Sequence, residues 1–462
     1  MGVAATPGRS RGRASRRERT LANTGETPRA ARIGMFSTLG APRPARREHK
    51  AKEVPMDESR RSFLARVAGT GAIVALADPP LVFAQAPAPA APEPVIPGTV
   101  SNADVLKGKD MSVFKVHSER PLTGSVPAEA HDFDVTPTER MFIRNNLLTP
   151  DIDAAQHKLT IKGLVDKELT LSVDELKRTF KAVTLQAMLE CAGSGRTGFQ
   201  PTPRGTPWSP TGGMGCPKWT GVRLADVLRA AGVKANAVHV AGQGADFGAV
   251  PTLAPVIRSI PMSKAMEENT LIAWDMNGAP LPKVHGYPIR LLVPGWAGSA
   301  STKWLHTLTV LDAPFKGTYM DDSYRIPRYP VAPGERMPKD AVSTEAWPVK
   351  SMITAPAPNA KFRVGEPILV RGKAWVGDGA IERVEVSLDE GVTWQAAQLD
   401  PRGDKYAWRG FRFLHRPQRP GYQTFLARAW DDKGNAQPLV SPWNPLGYFW
   451  NGVHRVGVTV EA

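Results

Sequence analysis

The stretch Leu189-Glu190-Cys191-Ala192-Gly193-Ser194-Gly195-Arg196 ends an apolar run on a thiol, follows it with four small residues and closes on a cation. A cysteine at a strand-to-loop junction is most often inert packing. A cationic neighbour such as Arg196 favours the thiolate, which is the donor a soft metal takes. The octapeptide alone leaves both readings open, so the rest of the chain decides. Its 462 residues hold only one other cysteine, Cys216, which reads as a structural free thiol. Two cysteines cannot build a disulfide scaffold, a four-thiolate iron–sulfur cluster or an all-cysteine zinc site. With no CxxCH present, no c-type haem is expected in this chain.

On either side of Cys191, residues 110–345 mix short β-like runs (157–163, 238–241, 289–294, 305–311) with short helical ones, an α+β organisation. The clearest helix is expected over 220–231, where Leu224, Val227, Leu228 and Ala231 fall on one face. Beyond residue 348 the pattern becomes alternating strands separated by turn signals, at 368–374, 381–387, 394–398, 406–413, 423–430 and 453–460. Short strands at roughly ten-residue spacing predict an immunoglobulin-like β-sandwich, and the pattern leaves open whether that module binds substrate or pairs with a second copy. A hydrophobic content of 42%, a charged content of 22% and 12 tryptophans belong to a globular protein long enough for two or three domains.

The formal charge of +15 is concentrated in the leader: residues 1–66 carry sixteen Lys and Arg against six Asp and Glu. The mildly basic remainder points to a small anionic substrate rather than to nucleic acid. Ser59-Arg60-Arg61-Ser62-Phe63-Leu64, the apolar residues 67–76 and the small-residue site Val82-Phe83-Ala84 together read as a twin-arginine signal peptide over 56–84. Its apolar stretch is too short and too interrupted for a membrane span. Residues 1–55 read as a disordered extension or a misassigned start, and 85–100 as a Pro/Ala linker. This export route carries folded cargo, so a periplasmic cofactor enzyme is expected.

Further segments complete the reading. Phe142-Ile143-Arg144-Asn145-Asn146 precedes the Cys191 stretch. Trp219-Thr220-Gly221-Val222-Arg223-Leu224, Met276-Asn277-Gly278-Ala279-Pro280-Leu281-Pro282, His285-Gly286-Tyr287-Pro288-Ile289-Arg290, Pro294-Gly295-Trp296 and Ser301-Thr302-Lys303-Trp304-Leu305 follow it. In order and spacing this set resembles the sulfite oxidase family of molybdopterin enzymes. The segments from Val386-Ser387-Leu388-Asp389 to Trp394, Ala429-Trp430-Asp431-Asp432 and Trp443-Asn444 resemble that family's dimerisation domain. The resemblance covers residues 110–460. It implies a molybdopterin-binding domain over 101–345, an immunoglobulin-like dimerisation domain over 346–462, a homodimer and a Mo-molybdopterin cofactor.

By the same resemblance Cys191 is the molybdenum ligand. Arg144, Arg196, Trp208 and Tyr324 form the pocket for a small oxyanion such as sulfite, two guanidinium forks suiting a dianion. Phe142, Arg144, Asn145, Asn146, Asp246, His285, Arg290, Ser301, Thr302 and Lys303 fall at cofactor-binding positions. The implied activity is oxidation of sulfite to sulfate, with electrons leaving to a separate c-type cytochrome.

Three departures bear on substrate. The family's Arg-Asn-His is Arg144-Asn145-Asn146 here. Ser194 and Gly195 interrupt its Cys-Ala-Gly-Asn-Arg-Arg, and Leu446 falls where a pocket arginine of the dimerisation domain is expected. A pocket with fewer cations suits a bulkier or less charged substrate, so a sulfane dehydrogenase subunit acting on carrier-bound sulfur is the alternative. A non-catalytic interaction protein with the same fold is a second alternative.

Overall fold

The computed structural model describes residues 96–462. The expected extension, signal peptide and linker lie outside the described residues, apart from 96–100 at the linker's end. Those last residues are tied to the body rather than free of it. Val100 N–H donates to Thr149 O at 3.0 Å and Asp151 N–H to Gly98 O at 2.9 Å.

Two sheets enclose the first core. Ile257–Pro261, His239–Gly244, Leu305–Leu311, Lys158–Gly163 and Leu169–Ser172 lie side by side in that order, antiparallel except where Leu305–Leu311 meets Lys158–Gly163. The second sheet runs Ala279–Pro280, Leu271–Met276, Lys218–Arg223, Ala182–Gln186, with Arg290–Leu292 also pairing with Leu271–Met276. Alternation aims Leu159, Ile161, Leu308, Val310, Val222 and Ile272 into one buried cluster.

The expected helix begins later than its pattern suggests, at Leu224, and ends at Ala231. Residues 220–223 belong to the strand Lys218–Arg223, which hydrogen-bonds on both sides, Gly221 lying opposite Ala273 and Val183. Two ladders outweigh the single extra helical turn those residues offer. Leu224, Val227, Leu228 and Ala231 are buried as the periodicity predicts, and Gly232 stops the helix at φ 69°, a left-handed conformation costly for any residue with a side chain.

The C-terminal region is a two-sheet sandwich. One sheet orders Lys350–Ala355, Ile368–Trp375, Arg409–His415 and Gln398–Leu399. The other orders Lys361–Arg363, His454–Glu461, Gly421–Asp431, Ile381–Ser387 and Gln395–Ala396. The strand expected at 394–398 therefore divides, and Gln395–Ala396 and Gln398–Leu399 pair in different sheets. Lys350–Ala355 has no alternating pattern because five of its six residues are buried, one face on the sandwich and the other on the first region. Among the described residues no helix is long and apolar enough to cross a membrane.

Candidate active site

A cavity opens in the first region, lined by residues of both sheets' loops and of the Cys191 turn. Its wall carries Cys191, Phe142, Arg144, Asn146, Asp246, His285, Arg290, Ser301, Thr302, Lys303 and Tyr324. These come from segments spread over 180 residues of chain. Leu189, Val256, Gly298, Ser299 and Trp304 complete it, none of them expected as a site residue, although Leu189 and Trp304 belong to the quoted motifs.

The thiol is set by its local backbone. Leu189–Glu190 pairs with Met214–Gly215, and Cys191 N–H donates to Gly213 O at 2.8 Å. The chain then turns sharply, Ser194 N–H returning to Cys191 O at 2.7 Å. Gly195 takes φ 85° with the Trp450 ring pressed against it, so a Cβ there would meet that ring at 2.6 Å. This is the reason for the glycine at 195, and a Cβ on Gly193 would meet the Arg196 guanidinium at 2.6 Å.

The C-terminal sandwich holds the turn from behind. The Glu190 carboxylate accepts from Lys350 Nζ and from Trp375 Nε1, both at 2.8 Å, and Lys350 also reaches Ser194 Oγ at 3.3 Å. Lys350 is 0% exposed and lies 5.3–5.7 Å from the centroids of the Trp347, Trp375 and Trp450 rings.

On the opposite wall Arg290 donates to His285 O at 2.9 Å and to Ser301 O at 3.0 Å, while Lys303 donates to Val284 O at 2.9 Å and to Asn145 Oδ1. Burial pushes Arg290 down to about 9. Burial, with Arg290 and other cations adding to it, holds Lys303 well below its ordinary range. Asp246 is pushed up to about 6 by burial despite Lys303 beside it. The His285 imidazole is kept neutral by burial and then by Lys109, Lys303 and Arg290. For Arg144, burial opposes the charge, and Tyr324, Cys191, Tyr448 and Tyr319 together outweigh it, so the guanidinium stays firmly protonated.

Tyr324 stands at φ 55°, its hydroxyl donating to Asn146 Oδ1 at 3.1 Å. Its ring stacks on Tyr448 at 5.5 Å and lies 5.0 Å from the Arg258 guanidinium. Arg258 and Tyr448 escaped the sequence reading because each sits in an unremarkable local context.

Three expected residues do not line the cavity. Asn145 is buried behind it, donating to Thr149 Oγ1 at 2.8 Å and accepting from Lys303. Trp208 is wholly buried, edge-on to His117 and Phe142. Arg196 gives Nε and Nη2 to Leu446 O, at 3.2 and 3.0 Å, and Nη1 to Thr206 O at 2.8 Å. Of the two guanidinium forks expected around the substrate, only Arg144 is on this wall.

The wall gathers Arg144, Arg290 and Lys303 against a single carboxylate, Asp246, and a phosphate-bearing ligand would supply the missing negative charge. Ser299 Oγ is buried there with no partner, so a hydroxyl is also available to a ligand. Among the described residues no group of three His, Cys, Asp or Glu could hold a metal, so a metal at Cys191 needs its other donors from a cofactor. The residues present fit a molybdopterin.

Comparison with known proteins agrees. Residues 146–319 match the oxidoreductase molybdopterin binding domain, and 341–461 the Mo-co oxidoreductase dimerisation domain. Human mitochondrial sulfite oxidase is 34% identical over 390 residues, covering 80% of this chain and 70% of its own. The chain belongs to the sulfite oxidase family of molybdopterin oxidoreductases. Within that family, chicken (Gallus gallus) sulfite oxidase is 34% identical over 361 residues, 74% of this chain and 77% of its own. The NADH nitrate reductase of Volvox carteri is 29% identical over 393 residues, 76% of this chain but 43% of its own. The crystal structure of the sulfane dehydrogenase SoxCD from Paracoccus pantotrophus superposes with a TM-score of 0.64 at 29% identity, over 75% of this chain and 88% of that one.

Proposed function

We propose that this protein is a periplasmic, molybdenum-dependent sulfite dehydrogenase, exported by the twin-arginine route and passing electrons to a separate c-type cytochrome. The observation that carries the reading is the cavity itself, where one thiol and the basic side chains of Arg144, Arg290 and Lys303 share a wall with a single carboxylate, Asp246. Cys191 is the protein's ligand to molybdenum, with a soft sulfur donor suited to it. Arg290, Lys303, Ser301 and Thr302 would hold the pterin and its phosphate, with Asp246 and His285 available to its polar groups. When bound, the cofactor accepts the two electrons of sulfite oxidation and mediates transfer of the oxygen atom.

The chain's own residues bind and orient the anion. Arg144 offers a charged fork beside Cys191, and Tyr324, anchored through Asn146, presents a hydroxyl over the same space. The wall is largely buried, so these donors act with little competition from water.

One observation favours a second reading, a sulfane dehydrogenase acting on carrier-bound sulfur. Arg196 is bonded to the Leu446 carbonyl instead of lining the cavity, which removes a cation that a free dianion would use. The likeness to the SoxCD sulfane dehydrogenase supports that alternative.

The test is molybdenum per chain in the exported protein, with sulfite-dependent reduction of ferricyanide or cytochrome c and Cys191→Ser alongside. Near-stoichiometric metal and sulfite oxidation, both lost in the variant, support the dehydrogenase. Full metal with no sulfite activity moves the reading to carrier-bound sulfur, and a folded protein without metal overturns both.

A further inference from the structure

Lys109 belongs to none of the motifs and does not line the cavity, yet it is 8% exposed and fully partnered. Its Nζ approaches Met141 O at 2.8 Å, Thr138 O at 3.1 Å and His285 Nε2 at 2.8 Å. His285 is on the cavity wall, and among the described residues its other ring nitrogen, Nδ1, has no protein partner. The residue is clamped, its N–H bonded to Pro282 O at 2.8 Å and its carbonyl accepting from Arg290 at 2.9 Å.

An ammonium has three N–H donors and no lone pair. Beside it, Nε2 of a neutral imidazole can only accept, so the ring's proton must sit on Nδ1. A neutral amine reverses this. It keeps two N–H bonds for the two carbonyls, turns its lone pair to Nε2–H, and leaves Nδ1 an acceptor.

We propose that Lys109 is a positioning residue that sets the tautomer of His285, so that as an ammonium it makes Nδ1 a donor to an acceptor atom of the pterin cofactor, and as an amine it makes Nδ1 an acceptor. The inference rests on the molybdopterin reading of the cavity. Burial takes Lys109 down to about 7, with the Glu139 carboxylate opposing the fall. The Phe114 ring lies 5.5 Å away. Lys303 and Arg290 act on the imidazole in the same sense as Lys109, and with burial they keep it neutral through this range. The exchange therefore falls near neutral pH, and the tautomer is the quantity that responds.

The experiment is nitrogen-15 NMR of the histidine rings in the full mature chain, prepared without cofactor and with His285 assigned through His285→Gln. Below pH 7 wild type is expected to show His285 wholly as the Nδ1–H form, crossing to Nε2–H as pH rises through about 7. Lys109→Arg, permanently charged, should hold the Nδ1–H form with no crossing, and Lys109→Met should lose it at low pH. A merely structural lysine would move none of these signals.

The proposal is overturned if wild type shows Nε2–H below pH 7, or if the folded Lys109→Met ring is indistinguishable from wild type. If Lys109→Met does not fold, the wild-type crossing and its absence in Lys109→Arg decide. Metal content of the separately purified exported protein separates the two readings: the expected tautomers in the cofactor-free chain, with no molybdenum in the folded exported protein, overturn the cofactor reading alone. Molybdenum in the exported protein, with a tautomer in the cofactor-free chain that ignores Lys109, overturns the present inference alone.

Discussion

Replacing Lys350 by Met keeps the length and packing of a side chain 0% exposed among three tryptophans, and removes the charge facing a Glu190 that is 1% exposed. The Glu190 carboxylate would retain Trp375 Nε1 at 2.8 Å as a donor but lose its counter-ion. Stranding one member of a buried pair costs about 3–5 kcal/mol. Glu190→Gln should cost a similar amount, because burial already holds the Lys350 ammonium below its ordinary range and Glu190 is what restrains that fall.

The double variant Glu190→Gln/Lys350→Met carries no buried charge, and its amide oxygen can still accept from Trp375. Its cost should therefore drop to about 1–2 kcal/mol, that of imperfectly matched neutral partners. The assay is urea unfolding of the three variants and wild type, followed by tryptophan fluorescence, with molybdenum per chain measured in parallel. Cys191 directly follows Glu190, so both singles should also lose metal and the double should recover part of it. Singles within about 0.5 kcal/mol of wild type, or a double costing as much as the two singles added, would refute the argument.

Other expectations follow from the same geometry. Arg144→Met should raise the KM for sulfite by roughly 10- to 100-fold, the loss of one charge-assisted contact, in steady-state assays of the metal-loaded protein. Burial holds His131 and His454 down to about 4, while the unfolded chain takes up those protons near 6.5. Stability contributed by each neutral ring is thus complete above about pH 6.5 and lost as pH falls toward 4, about 3 kcal/mol per residue. Urea unfolding from pH 7 to 4 measures it, and His131→Leu should remove one proton's share of the slope. From the proposed export route rather than from the structure, replacing Arg60 and Arg61 together by Lys is expected to leave the protein in the cytoplasm, read by fractionation.

Much of the candidate site was legible in the sequence. The ordered set of motifs from Phe142 through Lys303, by its resemblance to the sulfite oxidase family, brought most of the cavity wall into view; taken singly, those residues carry no such signal. Alternation and helical periodicity marked the buried faces of strands 305–311 and 381–387 and of the Leu224–Ala231 helix, since burial of one face leaves a repeat in the sequence. The start of that helix was misplaced because pairing with two neighbouring strands is a property of the sheet and not of residues 220–223.

What the sequence by itself determined was a thiol followed by small residues and a cation, and the change from α+β to sandwich grammar near residue 348; the resemblance of its ordered motifs to a family supplied the composition of the site. The tertiary structure decided which cation meets which acceptor. Arg196 was drawn to the Leu446 carbonyl 250 residues away, Lys350 to Glu190 across 160, and Lys109 to His285 across 176. No local pattern encodes those pairings. A buried charge must find a partner, and which one it finds depends on how two regions of the chain pack together.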